Sequence, residues 1–128
     1  PMGIEMLTQD ACAFHKDFGI FESFSGVVLD PEEGRKIGRA LADKKAVILR
    51  NHGMLTVGHT VESAAWWFLT LERTAQSQLM AYAAGTPTII DDENAAATYQ
   101  TVGGEFAGWF QFQPIWQRIS KDNPDIWD

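Results

Sequence analysis

Three histidines, one cysteine and a few groups of acids are the side chains of this 128-residue sequence that could do chemistry. The spacing of His15, His52 and His59 makes no zincin pair, zinc finger or two-histidine-carboxylate set. His52 stands apart by its surroundings. It leaves the apolar run Ala46-Val47-Ile48-Leu49 inside Asn51-His52-Gly53, where a rigid strand end would aim an imidazole. A neutral imidazole presented in this way suits zinc, which takes three or four protein ligands, and the remaining ligands are not apparent in the chain. His59 follows a turn glycine beside a helix start and is expected in solvent. Cys12, inside Ala11-Cys12-Ala13-Phe14, reads as a small buried hydrophobe rather than a nucleophile. Glu32-Glu33 and Asp91-Asp92-Glu93 read as charges at helix starts, and Glu72 as a helix-surface partner of Arg73. There is no nucleophile elbow, P-loop or Gly-x-Gly-x-x-Gly fingerprint.

The elements that must position these residues follow from periodicity and punctuation. Ala11 to Phe14 and Gly19 to Val28 read as two short strands, with Gly26 a bulge or a close approach. Asp30-Pro31-Glu32-Glu33 starts a helix that runs to about Asp43, with Ile37, Ala40 and Leu41 on one face. Gly34 and Gly38 lie four apart on it, a spacing expected to serve close packing on a sheet, since each glycine costs about 1 kcal/mol of helix propensity against alanine. Ala46 to Leu49 is continuously apolar and reads as a strand covered on both faces. Asn51 and Gly53 tolerate the turn that leads into a second strand, Met54 to Val57.

Thr60 caps the longest helix, which runs to about Ala84 and stops at Gly85. Ala64, Phe68, Leu71, Ala75, Leu79 and Tyr82 recur every three or four residues and predict its buried face. Trp66-Trp67 adds a second stripe, which suggests contact with a sheet and with something else, such as another subunit. Asp91-Asp92-Glu93 starts a helix to about Val102, ended by Gly103-Gly104. A Gly- and aromatic-rich segment follows, and Pro114 is expected to open a last helix. The aromatics of 106 to 116 read as core or interface rather than as a ligand pocket. Strands and helices alternate, so the class is α/β or α+β.

Composition narrows the partners. Ten Lys and Arg against 17 Asp and Glu give a net charge of −7, with no basic cluster. That balance argues against nucleic acid and against an anionic membrane surface. A single cysteine excludes an internal disulfide framework. No apolar run approaches the roughly 20 residues of a membrane span, and no secretory leader or glycosylation sequon is present. A cytoplasmic chain is expected.

The run Ala46-Val47-Ile48-Leu49-Arg50-Asn51-His52-Gly53-Met54-Leu55-Thr56-Val57-Gly58, followed by Thr60-Val61-Glu62-Ser63-Ala64, resembles the class II aldolase/adducin family. Thr8-Gln9-Asp10-Ala11, Phe24-Ser25-Gly26 and the Gly34-to-Asp43 helix fit the same pattern, so the likeness covers about residues 4 to 86. It implies a three-layer α/β/α sandwich with a mainly antiparallel central sheet, present here as a C-terminal portion of the family domain and usually assembled as a symmetric oligomer. It also implies a divalent metal, commonly zinc, held by three histidines, two from a His-x-His motif and the third from Asn-His-Gly. That third role maps onto His52. The metal would polarise the carbonyl of a small substrate while a carbon–carbon bond breaks.

The chain departs from that pattern in having no His-x-His, no phosphate-binding N-terminal segment and no matching catalytic acid. The ligand set is therefore incomplete, and residues 1 to 128 read either as one domain or as the C-terminal half of one. Two functions follow. One is a metal-dependent lyase, performing aldol cleavage or decarboxylation of a small carbonyl substrate and needing an N-terminal half or partner chain to complete its site. The other is a non-catalytic interaction or oligomerisation module, adducin-like or a truncated pseudoenzyme. Half a sheet leaves an open edge and an uncovered apolar face, so a homo-oligomer or a complementing N-terminal chain is expected.

Overall fold

A computed structural model describes residues 3–24, 26–27 and 29–127. Strand β1 (Phe18–Phe21), β2 (Ala46–Leu49) and β3 (Gly53–Thr56) form a sheet in the order β1-β2-β3. β1 runs parallel to β2, with Phe18 opposite Ala46, and β2 runs antiparallel to β3, with Ile48 opposite Met54. Helix α1 (Pro31–Leu41) is the crossover between the parallel strands and covers one face. Helix α2 (Val61–Ala84) lies on the other face against β3, and α4 (Glu105–Asp122) packs along α2. Helix α3 (Asp92–Val102) closes the end over a 3-10 turn at Ala11–Phe14. The architecture is the expected α/β/α arrangement. No helix among the described residues is long and apolar enough to cross a membrane.

The helix starts are local chemistry. The Asp30 carboxylate accepts from the Glu32 N–H at 2.9 Å with Pro31 in the first turn, and Glu32 then pairs with Arg35 and Arg39, each at 3.0 Å. Thr60 and Ser63 form a reciprocal capping box at α2, and Asp91 accepts from the Asn94 N–H at α3. The core joins Phe14, Ala46, Trp67 and Leu71, with the rings of Phe14 and Trp67 edge to face at 6.3 Å.

Five expectations change. Ala11–Phe14 is a 3-10 turn rather than a strand, because Thr8 Oγ1 accepts from the Ala11 N–H and Gln9 O from the Cys12 N–H, coiling the chain. All four of its residues are buried, so no alternation of exposure could reveal its form. The strand expected over Gly19 to Val28 is confined to Phe18–Phe21; Ser25 and Val28 lie outside the described residues. Gly26 has φ +95° and open space around it, so it serves a turn and not a close approach. Gly34 and Gly38 also face open space, whereas a Cβ on Gly19 would meet the Ala40 carbonyl: the helix-on-sheet contact uses a strand glycine.

The fourth change concerns α2. Its buried positions are Ser63, Trp67, Thr70, Leu71, Thr74 and Gln78, while Phe68, Leu79 and Tyr82 of the expected face are exposed. The fifth is that 108–113 is no break. It belongs to α4, and Pro114 sits inside that helix, with Phe110 exposed to water on the turn where the proline has no N–H to donate.

Candidate functional site

β2 delivers His52. The strand ends at Leu49, and Arg50, Asn51 and His52 turn the chain into β3. Asn51 takes φ +56°, the left-handed conformation an asparagine tolerates, and the His52 N–H donates to Leu49 O at 3.0 Å. The turn is anchored to β1, because the Arg50 N–H donates to Phe21 O at 2.9 Å and the Arg50 guanidinium pairs with Glu22 at 3.2 Å. With its backbone held at both ends, the exposed His52 borders a recess of about 10 Å³ lined also by Phe21, Phe24, Glu33, Ile37 and Leu49. A wider cleft of about 390 Å³ shares Phe21, Ser23 and Glu33 with it and reaches Lys36.

Glu33 thus has more than a helix-start role: it stands on the first turn of α1 facing the same recess as His52. Its position after Asp30-Pro31 gave no sign of this, since the recess shared by α1 and the β2–β3 turn exists only in the tertiary structure. Among the described residues no group of three or more His, Cys, Asp or Glu converges as a cation site. His52 and Glu33 supply fewer donors than the three protein ligands a catalytic zinc requires. These residues by themselves do not fit a complete metal centre.

The other sequence candidates lie elsewhere. His59 is exposed, as expected, and its backbone N–H donates to Glu105 at 2.9 Å. His15 is largely buried, with Nε2 3.5 Å from Asp92 Oδ1, and the same carboxylate accepts from Lys16 at 2.9 Å. Cys12 is fully buried, and burial pushes its thiol up. Glu72 is exposed on α2.

A polar network at the opposite end of the sheet escaped the sequence reading. The Lys45 side chain is 7% exposed and pairs with Asp17 at 3.2 Å, donates to the Gly103 carbonyl, and lies 4.1 Å from the centre of the Trp67 ring. Tyr99 donates to Asp17 at 2.6 Å. Burial holds the Lys45 ammonium below its usual range, with the Asp17 carboxylate pulling the other way; burial and the Asp17 bond push the Tyr99 phenol up to about 12. Burial raises the Glu105 carboxyl, but bonds from Ser63 Oγ at 2.7 Å and the His59 N–H outweigh it and leave the group below its usual range. The network joins the start of β2 to α2, α3 and α4, and Asp17, Lys45, Tyr99 and Glu105 also line an open cleft of about 290 Å³ beside His59. A lysine directly before an apolar strand was its one trace in the sequence.

Comparison with known proteins places the His52 turn in context. A family model described as the Class II Aldolase and Adducin N-terminal domain matches residues 2–79. The chain is 42% identical over 120 residues to "Decarboxylase NovR" of Streptomyces niveus, a match that covers 94% of this chain and 44% of the relative. It is 31% identical over 125 residues to "Alpha-adducin" of Rattus norvegicus, covering 91% of this chain and 16% of that one. Among solved structures, "L-fuculose 1-phosphate aldolase from Glaciozyma antarctica PI12" matches with TM-score 0.86 and 41% identity, over 97% of this chain and 46% of the other. The chain spans less than half the length of these relatives.

Proposed function

The chain belongs to the class II aldolase and adducin family, and from that premise we propose that it carries the Asn-His-Gly portion of a lyase site for a small carbonyl substrate. The reaction class is cleavage or decarboxylation at a bond beside a carbonyl. The single observation that carries the reading is the presentation of His52: a turn bonded to β1 and β2 aims an exposed imidazole into a recess faced by Glu33. The class II aldolases of the family generally depend on a divalent cation, and here His52 would be one ligand. The remaining ligands would come from polypeptide beyond the described residues, which also makes the working form an assembly, with a second copy or with the rest of the family domain.

Within that site this chain's own residues bind and position. Phe21 and Phe24 give the recess beside His52 an apolar wall. Glu33 lines the same recess as His52 and would stand beside a substrate bound there, where a carboxyl group could exchange a proton with it. Lys36, at the mouth of the adjoining cleft, is placed to attract a substrate carboxylate or phosphate.

The test is cation content and carbonyl-substrate turnover of the assembled protein, beside a His52→Ala variant. Loss of both cation and turnover supports the proposal. Unchanged cation content and turnover in the variant refutes it. A second reading, a non-catalytic interaction module, is favoured by the likeness to alpha-adducin and by the exposed aromatic group Phe106, Trp109 and Phe110 on α4. An assembled protein without cation or turnover, but with a stable partner, supports that reading.

A further inference from the structure

A second set of reactive side chains stands at the other end of the sheet, around Lys45. This residue directly precedes β2, and its side chain is 7% exposed. Asp17 Oδ2 lies 3.2 Å from Nζ, the Gly103 carbonyl accepts from it, and the ring centres of Trp67 and Tyr99 lie 4.1 Å and 4.9 Å away. The Asp17 carboxylate is itself held by the Tyr99 hydroxyl at 2.6 Å and by the Lys45 N–H at 3.0 Å. Burial pulls the ammonium toward its neutral form, with Asp17 opposing the shift. A desolvated amine with a fixed charge partner and a place in a cleft wall has the setting in which lysines become nucleophiles.

The cleft is open and holds about 290 Å³, close to the lower end of the range of about 300–1,000 Å³ typical of small-molecule sites. Lys45 and Asp17 form part of its wall, together with Tyr99 and Glu105. Gly104 contributes bare backbone to it, with no atom within 4 Å of where a Cβ would stand, so there is room at that point. The surrounding charges choose among carbonyl compounds. Three carboxylates line the cleft, of Asp17, Asp43 and Glu105, against two ammoniums, of Lys44 and Lys45. That surplus repels an anionic substrate and leaves an uncharged one unaffected.

We propose that Lys45 is the amine of a second site, which captures small uncharged aldehydes as a Schiff base. Asp17 takes a proton from the Lys45 ammonium, and the amine lone pair attacks the carbonyl carbon. The nitrogen passes one hydrogen to the new alkoxide, Asp17 returns its proton to the resulting hydroxyl, and water leaves. One ammonium and one aldehyde have become one protonated imine and one water, with nothing oxidised or reduced. The imine keeps the positive charge of the ammonium, so Asp17 and the Trp67 ring stabilise it as they stabilise Lys45. The site needs neither His52 nor a cation bound there.

The test treats the folded chain with limiting propanal and cyanoborohydride, which fixes each imine as a propyl group, and locates the marked lysines by peptide mass mapping. Lys45 should gain the group about tenfold faster than the exposed Lys16 and Lys121. A lysine that serves only as a buried ion-pair partner would be marked last, and that order, or equal rates, overturns the proposal. In urea the preference should vanish, since it belongs to the fold; a preference that survives unfolding also overturns it. Asp17→Asn sets two roles of the carboxylate against each other. Without a group to carry the proton, labelling of Lys45 relative to Lys121 should fall about tenfold. Equal or faster labelling, as loss of a mere counter-charge would give, overturns the assignment. If circular dichroism shows this variant unfolded, Tyr99→Phe takes its place, and a fall of about threefold is expected from an Asp17 that has lost its phenol partner. No fall in Tyr99→Phe counts against the proposal in the same way. Glyoxylate, an anionic aldehyde, should mark Lys45 with a weaker preference over Lys121 than propanal does, and a stronger one overturns the uncharged class.

Discussion

The carbonyl oxygen of Ala40 lies 2.1 Å from the place a Cβ would take on Gly19, so α1 rests directly on the backbone of β1. This contact sets how closely the C-terminal end of α1 approaches the sheet. Gly19→Ala is expected to cost about 1–3 kcal/mol by overpacking. Gly34→Ala and Gly38→Ala, with nothing near the new methyl, should instead each stabilise by about 0.5–1 kcal/mol through helix propensity. Urea midpoints of the three variants check the opposite signs.

His52→Ala should leave folding nearly unchanged, within about 0.5 kcal/mol, because the side chain is exposed and the turn is held by backbone bonds. A stable variant would separate any loss of function from loss of structure. Thermal unfolding of both proteins in the same buffer gives the comparison.

Tyr99 predicts a loss of stability at high pH. Its phenol is raised from 10.0 to about 12 in the folded chain, so the folded state holds this proton more tightly than the unfolded one. The contribution is complete below pH 10 and is lost as the pH rises from 10 to about 12. Lys45 has the opposite sign. Its folded value lies below 10.5, so its charge weighs against folding at neutral pH and that cost fades as the pH rises toward 10.5. Stability measured between pH 9 and 12 should therefore fall more steeply in the parent chain than in Tyr99→Phe.

Asp17→Ala removes the carboxylate that pairs with Lys45, accepts from Tyr99 and accepts from the Lys45 backbone N–H at 3.0 Å. A buried ammonium left without its counter-charge costs about 3–5 kcal/mol. Lys45→Met together with Asp17→Asn should recover much of that loss, since neither charge is then stranded. Chemical denaturation of the single and double variants measures the coupling.

Glu105→Ala should cost about 1–3 kcal/mol, because the carboxylate satisfies Ser63 Oγ and the His59 N–H where α4 meets the start of α2. His59→Ala keeps the backbone N–H and should change little. Hydrogen exchange at the first turn of α2 distinguishes the two variants.

The sequence by itself determined what short-range chemistry fixes. Asp30, Thr60 and Asp91 start helices through bonds to N–H groups two or three residues on, and Asn51-His52-Gly53 turns because Asn51 adopts a left-handed backbone conformation. Those local signatures also place the chain in its family and single out His52. Tertiary structure alone decided which glycine meets a helix, that Glu33 and His52 line one recess, and that Lys45 is buried over Trp67. It also rotated the buried face of α2, which keeps Leu71 of the expected stripe but leaves Phe68, Leu79 and Tyr82 exposed. An apolar stripe of period 3.6 states that some surface must be covered but carries no address, and burial within one chain depends on which layers are there to cover it. The Phe68–Leu79–Tyr82 stripe was legible as a buried face; only the fold showed that this chain leaves it open.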